Sequence, residues 1–234
     1  MPDPLLKVSN LRIEAQHQVL LDHISFQMHK KETVAVIGPN GAGKTTLFRA
    51  LLGLIPYEGT IEWQKGITIG YVPQKLFIER DFPLTIGEFF ALKGRGAPTK
   101  AEIDHACALV GFGDHATQTF LRKQIGVLSG GELQRILIAW ACVGHPDVLL
   151  FDEPTSGVDI SSEETIYGLL HKMQEKENLT VLLISHELDI VYKYATNVLC
   201  LNKKAVCFGP PKEALDKESL FALFGADVGL YRHH

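Results

Sequence analysis

The chain has 234 residues, of which 46% are hydrophobic and 21% are charged, so it can bury a globular core. Its net charge of −4 argues against a nucleic-acid-binding surface. No apolar stretch reaches the ~20 residues that span a bilayer, and Met1–Pro4 lacks the features of a signal peptide. We therefore expect a cytosolic protein that binds no nucleic acid and contacts a membrane only through a partner.

The first quarter of the sequence predicts a pair of strands, then a strand, a glycine-rich loop and a helix. The pair covers Leu5–Glu14 and Val19–Met28, whose apolar residues partly alternate. Thr33–Ile37 is an apolar, β-branched run typical of a buried strand. The helix is predicted over Thr46–Leu52, with Gly53 as its C-cap glycine.

The loop between that strand and helix, Gly38–Thr45, fits the phosphate-binding pattern G-x-x-x-x-G-K-[ST]. Its glycines let backbone N–H groups surround phosphates, and the helix N-terminus adds about half a positive charge. Lys44 can reach the terminal phosphates, and the Thr45 hydroxyl can ligate Mg²⁺. The predicted nucleotide contacts are Gly38, Pro39, Asn40, Gly41, Ala42, Gly43, Lys44, Thr45 and Thr46. The alternative, a glycine turn beside a surface lysine, would not explain why a strand precedes the loop and a helix follows it.

Short strands and then helices are predicted in the middle of the chain. The strands are Thr60–Glu62 and Ile67–Tyr71, and the helical patches are Ile86–Leu92 and Ala101–Val110. Glycine-containing breaks interrupt the helical pattern between Gln74 and Gly126.

A second glycine-rich motif begins at Leu128-Ser129-Gly130-Gly131-Glu132. Ser129 can cap a helix that continues through apolar residues, and the N–H groups of Gly130 and Gly131 can then meet an anion. This possible anion site lies eighty-five residues after Lys44. Considered locally, a capped amphipathic helix without any ligand also explains the motif.

A carboxylate pair, Asp152 and Glu153, ends a second predicted buried strand, Val148–Phe151. Ligands of open α/β sheets bind at the carboxyl ends of parallel strands. Asp152 is therefore a candidate for holding Mg²⁺ and Glu153 for polarising an attacking water. Taken alone, the pair could equally be a solvated acidic turn before Pro154.

The last third predicts further alternation of helix and strand. Its predicted elements are a helix, a strand, the two strands of a hairpin and a helical tail, at Ile166–Lys176, Val181–Ser185, Val198–Leu201, Ala205–Phe208 and Glu213–Phe224. The four cysteines form no C-x-x-C pair. Cys142 and Cys200 lie in apolar surroundings, so we expect buried thiols.

These motifs, in this order, resemble those of the ATP-binding subunit of an ABC transporter, from about Leu5 to about Phe224. Gly38–Thr45 is similar to the Walker A motif, Val148–Asp152 with Glu153 to Walker B and the catalytic glutamate, and Leu128–Arg135 to the family's signature. The resemblance implies a single α/β P-loop NTPase (RecA-like) ABC ATPase domain with an N-terminal antiparallel β subdomain. It places the core at about 1–75 and 126–234 and an inserted α-helical subdomain at about 76–125.

The resemblance also implies roles for individual residues. Gln74 matches the Q-loop glutamine, Asp159 the D-loop, and His186 the switch histidine that contacts the γ-phosphate. The implied catalytic residues are Glu153, His186 and Gln74, and the implied Mg²⁺ ligands are Thr45, Gln74 and Asp152. Ser129, Gly130, Gly131 and Glu132 would bind the ATP held by a second copy, which implies a homodimer in the ATP-bound state.

The transporter subtype is indicated by Asp81–Ile86, which is similar to the zinc/manganese importer branch. The terminal His233-His234 also resembles zinc members, although a truncated purification tag or a disordered end is an equal explanation. This resemblance implies a peripheral subunit at the cytoplasmic face of the membrane, bound to an integral permease and indirectly to an extracytoplasmic substrate-binding protein. An importer of another substrate, a soluble ABC protein of translation or repair, and a regulator without turnover remain alternatives.

One position departs from the family pattern. Ala15 occupies the place where an aromatic residue usually stacks on adenine, and His17 is a weaker substitute. We therefore expect loose base recognition, with comparable hydrolysis of ATP and GTP.

Overall fold

The computed structural model describes residues 3–74, 76, 78–94, 96–113, 118–153 and 160–225. The chain divides into two compact units. The first unit combines Met1–Ile67 with Thr180–His234, and the second is Thr68–Leu179.

Strands predominate in the first part of the described chain and helices in the middle, and the two alternate from Gly130 to Asn202. The strands are β1 (Leu6–Ala15), β2 (Gln18–Met28), β3 (Thr33–Ile37), β4 (Glu58–Trp63), β5 (Ile69–Val72), β6 (Val148–Asp152), β7 (Thr180–Ile184), β8 (Asn197–Asn202) and β9 (Lys204–Gly209). The helices are α1 (Lys44–Leu51), α2 (Ile86–Ala91), α3 (Lys100–Leu109), α4 (Gln118–Leu121), α5 (Gly130–Cys142), α6 (Ile160–Glu177), α7 (Leu188–Tyr194), α8 (Pro211–Ala214) and α9 (Lys217–Phe224). A 3₁₀ turn, Ile125–Val127, precedes α5.

The first unit contains a three-stranded antiparallel sheet with the order β2-β1-β4. Alternate residues at the start of β1 are buried, with Leu6 and Val8 inside and Lys7 exposed. This alternation is expected of a sheet that packs one face against a core. The predicted N-terminal β subdomain is therefore present.

The same unit contains parallel strands that support the phosphate-binding loop. β3 pairs in parallel with β7 and with β8, and every residue of β3 and β7 is buried. Continuous apolar composition is what such a doubly covered strand requires, which explains why these strands were predictable. β9 closes the arrangement as an antiparallel partner of β8.

The β8–β9 pair also corrects one expectation. Cys200 lies opposite Cys207 in the register, and a disulfide joins them, so the prediction of a free thiol at Cys200 is wrong. Cross-strand neighbours are close enough for this bond, but the register that pairs them was not evident from the sequence. Cys142 is a buried free thiol, as predicted.

The second unit is built on the parallel pair β5 and β6, whose register sets Val72 opposite Phe151. Helix α5 lies close to β5 at Gly70. A Cβ atom at this position would come within 2.6 Å of the Ala141 carbonyl oxygen. Helices α2, α3 and α5 each begin with a capping box, in which Thr85, Thr99 and Ser129 are the N-caps. The helical segments predicted around residues 86–110 are thus present.

Several details of the helices differ from the predictions. Helix α6 begins at Ile160 rather than Ile166, and α4 was not predicted. Helix α1 begins at Lys44 rather than Thr46, and Gly53 follows its C-cap with φ 69°. The predicted tail helix is two helices, since Asp216 caps α9 by accepting a hydrogen bond from the Ser219 N–H at 2.7 Å. Helix α7 was not predicted. Among the described residues, no helix combines the length and apolarity that crossing a bilayer demands.

Candidate functional site

The phosphate-binding loop connects the buried strand β3 to helix α1 in the first unit. Gly43 is the N-cap of α1, in the left-handed conformation with φ 98°, and Gly41 also has a positive φ of 78°. A Cβ atom at Gly43 would lie 2.4 Å from a Leu21 methyl carbon, so both conformation and space require glycine there. A glycine N-cap supplies no side-chain acceptor to the first turn, which leaves that role to an anion.

Lys44 lies inside this loop rather than at the surface. Its ammonium group donates hydrogen bonds to the carbonyl oxygens of Gly38 at 2.8 Å and Pro39 at 3.1 Å, and only 6% of the residue is exposed. Burial of a charge is tolerated only when polar partners surround it. The loop therefore holds a cation at the N-terminus of α1, beside Thr45 and Thr46, which are half-buried.

Lys203 is a further contributor that the sequence did not reveal. Its backbone N–H donates to the Ala42 carbonyl oxygen at 2.9 Å, so the β8–β9 turn is hydrogen-bonded to the phosphate-binding loop. Its φ of 58° is left-handed, and no local pattern in the sequence announced this contact.

His186 lies at the same sheet edge as the loop. Strand β7 runs parallel to β3, with Ile184 opposite Val36, and the Ser185 N–H donates to the Val36 carbonyl oxygen at 3.3 Å. Both strands therefore end at one edge, where β3 enters the loop and β7 leads through the buried Ser185 to an exposed His186. The first unit thus brings a histidine to the edge that carries the phosphate-binding loop.

Ala15 and His17 are both exposed at the β1–β2 turn of the first unit. His17 is in the left-handed conformation, with φ 62°. Among the residues that the structure describes, no aromatic contact involves either position.

The second unit brings Gln74, Asp152 and Glu153 together. β5 and β6 run in parallel, so the residues that follow them lie at one edge. The Gln74 side-chain amide donates a 2.5 Å hydrogen bond to Glu153 Oε2, and Glu153 adopts a left-handed φ of 49°. Asp152 is only 2% exposed. The arrangement presents a carboxylate and an amide on the surface above a buried carboxylate.

Tyr71 is the second residue that sequence reasoning missed. Its hydroxyl donates to Asp152 Oδ2 at 3.3 Å and so orients the buried carboxylate. Tyr71 lies in the strand that leads to Gln74, but the sequence of that strand does not indicate a hydrogen bond to Asp152.

The signature motif lies in the same unit, at the N-terminus of the 13-residue helix α5. The Ser129 hydroxyl accepts from the Glu132 N–H at 3.3 Å, and Glu132 Oε2 accepts from the Ser129 hydroxyl at 2.6 Å and its N–H at 2.9 Å. These hydrogen bonds hold the pKa of Glu132 below its usual value. Ser129 and Gly130 are exposed, so this helix end can meet another molecule.

The predicted site residues therefore form three described groups: the phosphate-binding loop with His186, the Gln74–Asp152–Glu153 group, and the signature. Asp159 and the terminal His233-His234 lie outside the residues that the structure describes.

Comparisons with known proteins agree with these motifs. The family model described as "ABC transporter" matches residues 21–156. A protein called "Zinc import ATP-binding protein ZnuC" from Mannheimia succiniciproducens is 36% identical, over 99% of this chain and 87% of its own length. A protein of the same name from Roseobacter denitrificans is 38% identical, over 94% of this chain and 84% of its own length.

Solved structures agree in fold. A chain described as part of a metal-chelate type ABC transporter in an inward-facing conformation matches with a TM-score of 0.82 and 28% identity, covering 95% of this chain and 89% of that one. A component of an ABC transporter complex from Clostridium perfringens gives 0.77 and 27%, covering 94% of each chain. The predicted α/β P-loop fold is thereby confirmed. The chain belongs to the ABC transporter family, as one of its ATP-binding subunits.

Proposed function

We propose that this protein hydrolyses MgATP to drive import of a divalent metal ion, zinc or manganese, through a separate membrane permease. The observation that carries the ATPase part is the phosphate-binding loop, with Lys44 enclosed by loop carbonyls at the N-terminus of α1. The metal-import part is supported by relatives whose printed names describe zinc import.

Nucleotide binding would use the charge already enclosed in the loop. Phosphate oxygens would replace the carbonyls of Gly38 and Pro39 as partners of the Lys44 ammonium, exchanging neutral acceptors for charged ones. The N–H groups at the start of α1 would surround the same phosphates. Binding affinity would then depend on phosphates more than on the base, since Ala15 offers no ring for stacking.

Hydrolysis would use the group at the end of β6. Glu153 accepts the proton of the attacking water, and the hydrogen bond from Gln74 orients the Glu153 carboxylate for this step. His186 contacts the γ-phosphate and stabilises charge that develops there. Hydroxyl, amide and carboxylate oxygens from Thr45, Gln74 and Asp152 are the hard donors that Mg²⁺ prefers, and the ion would neutralise phosphate charge.

The signature explains why two copies are needed. Ser129, Gly130, Gly131 and Glu132 would contact the ATP bound by the Walker A loop of a second copy, and Asp159 would lie at the same interface. Closing two copies on two MgATP moves the permease, and hydrolysis reopens them. The subunit would then work at the cytoplasmic face of the membrane, indirectly coupled to an extracytoplasmic substrate-binding protein.

Uptake of radiolabelled zinc and manganese, measured separately in cells whose chromosomal copy carries Glu153→Gln, tests this function. We expect uptake of one or both ions to fall to the level of a deletion strain, because the permease would no longer be reset. Val127→Ala is a matched control, since Val127 is exposed near the signature and has no proposed role. Normal uptake of both ions by the Glu153→Gln strain would contradict metal import. Loss of ATPase activity in the same purified variant would show that the catalytic part still holds.

A further inference from the structure

Three potential metal ligands converge in the second unit at a place that none of the nucleotide motifs includes. They are His105 on α3, His145 in the turn between α5 and β6, and Glu177 at the end of α6. One ligand atom from each lies within 4.8 Å of the other two. Two imidazoles and a carboxylate are a ligand set that proteins use for zinc.

The separations within this cluster suit a shared ion better than direct hydrogen bonds. His105 Nε2 lies 3.6 Å from Glu177 Oε1, and His145 Nδ1 lies 3.9 Å from Glu177 Oε2. Hydrogen bonds of this kind are about 2.7–3.2 Å long. Two ligands at about 2.0–2.1 Å from a tetrahedral zinc ion are roughly 3.4 Å apart. The three ligand atoms lie within 4.8 Å of one another, so binding one ion would draw the side chains together by as much as about 1.4 Å.

The His105 nitrogen that faces Glu177 is a buried atom without a hydrogen-bond partner among the described residues. Buried polar atoms in folded proteins nearly always have a partner, so an orphan requires an explanation. A metal ion would supply the missing partner to its lone pair.

The position of His145 is fixed by a left-handed turn. Gly144 and His145 both have left-handed φ angles, 85° and 50°, and the His145 N–H donates to the Cys142 carbonyl oxygen at 3.1 Å. This turn sets the centroid of the His145 ring 4.7 Å from that of the His105 ring. The two imidazoles are therefore neighbours although they come from separate elements.

A divalent ion would accept the lone pairs of both imidazoles and balance the charge of the carboxylate, so one ion can serve all three groups.

We propose that His105, His145 and Glu177 form a binding site for one divalent transition-metal ion of the zinc class, with water completing the coordination. The ligands come from three separate elements, so the bound ion ties α3 and α6 to the turn that joins α5 to β6. The site is open to exchange with solution, since the His145 side chain is 59% exposed. Metal binding at this site does not depend on which ion the transporter carries.

The test is calorimetric titration of the metal-free full chain with zinc chloride, without nucleotide. Every protein in the series carries His233→Ala and His234→Ala, so that the terminal histidines do not bind zinc. We expect the parent to bind one zinc ion per chain and to show a higher melting temperature with zinc. His105→Asn with His145→Asn should lose both effects, and Glu177→Gln should weaken the binding. Asparagine tolerates the left-handed φ of residue 145, so this variant is expected to fold.

His17→Asn is the matched control. His17 is also exposed and left-handed, with φ 62°, but lies in the β1–β2 turn of the other unit. It should bind zinc as the parent does. A parent that binds no zinc, or a double variant that binds it with parental affinity and stoichiometry, would overturn the proposal. Cobalt added to the parent should give the visible absorption bands of a tetrahedral site. The same bands in the double variant would also overturn the proposal.

Discussion

The phosphate-binding loop of the first unit and the Gln74, Glu153 and Ser129 side chains of the second differ in how far they are exposed. In the first unit the phosphate-binding loop holds Lys44 almost fully buried, with its ammonium group bonded to the loop's own backbone. In the second unit Gln74 and Ser129 are exposed, and Glu153 is only partly covered. The difference suggests that a single copy binds the nucleotide tightly in a preformed loop, whereas water activation and the signature act only when other groups arrive.

The largest effect that would test this comparison is expected from Glu153→Gln. Losing the general base should slow hydrolysis by about 10²–10⁴-fold, while binding in the first unit persists. ATP turnover and equilibrium binding measured on one preparation separate the two effects. Size-exclusion chromatography with MgATP should show dimers accumulating, because the closed state no longer decays. A Glu153→Gln variant that stays monomeric and hydrolyses ATP at the normal rate would contradict this difference between the units.

Lys44→Ala should produce the complementary defect. Removing the buried ammonium deletes charge-assisted hydrogen bonds to phosphate, so nucleotide affinity should fall by about 10–100-fold. Fluorescent nucleotide titration measures this loss. Lys203→Ala is a suitable control, since it removes an exposed side chain but keeps the backbone hydrogen bond to Ala42. Unchanged affinity in Lys44→Ala would exclude the loop as the phosphate site.

Tyr71→Phe should have a small effect confined to the second unit. It removes one hydrogen bond to Asp152, worth about 0.5–1.5 kcal/mol, so kcat should fall by roughly 2–10-fold with little change in nucleotide affinity. Steady-state kinetics over a range of Mg²⁺ concentrations measures both values. If nucleotide affinity fell by this factor and kcat did not change, Tyr71 would affect nucleotide binding rather than hydrolysis.

The smallest expected difference is between nucleotides. Without a ring at Ala15, ATP and GTP should be hydrolysed at similar rates, because base stacking contributes little. Parallel assays with the two nucleotides check this, and Ala15→Tyr should restore a preference for ATP. Strict ATP specificity in the unmodified protein would show that another residue reads the base.

Much of the fold was predictable because its central strands are fully buried. β3, β6 and β7 are continuous apolar runs, and that composition has few alternative explanations. Helix α7 was missed because Leu188–Tyr194 is short and of mixed polarity. The order of the phosphate-binding loop, the signature and the Asp152-Glu153 pair indicated the family, so the chemistry was clearer than some of the secondary structure.

Contacts between distant segments could not be predicted in the same way. The pairing of Cys200 with Cys207 depends on hairpin register. The hydrogen bond from Tyr71 to Asp152 depends on the pairing of two strands whose first aligned residues, Ile69 and Val148, are 79 positions apart in the sequence. Each requires a tertiary arrangement that local periodicity does not encode.

The remaining cysteines help in testing the dimer. Cys107 and Cys142 are buried free thiols, and burial raises their pKa values to about 11 and about 12. Since the thiolate is the reactive form, both should be nearly inert to maleimides in the folded protein. Cysteines introduced at exposed positions can therefore be cross-linked with little background.

We propose that the phosphate-binding loop of one copy faces the signature of another across a shared ATP. The direct test mixes two variants in the Glu153→Gln background, one with Asn40→Cys and one with Ser129→Cys, and adds a short bismaleimide cross-linker. We predict covalent dimers of the two different variants in the presence of MgATP, and almost none when either variant is treated alone or when nucleotide is absent. Mixed variants that remain uncross-linked with MgATP, or that cross-link equally without it, would contradict the account.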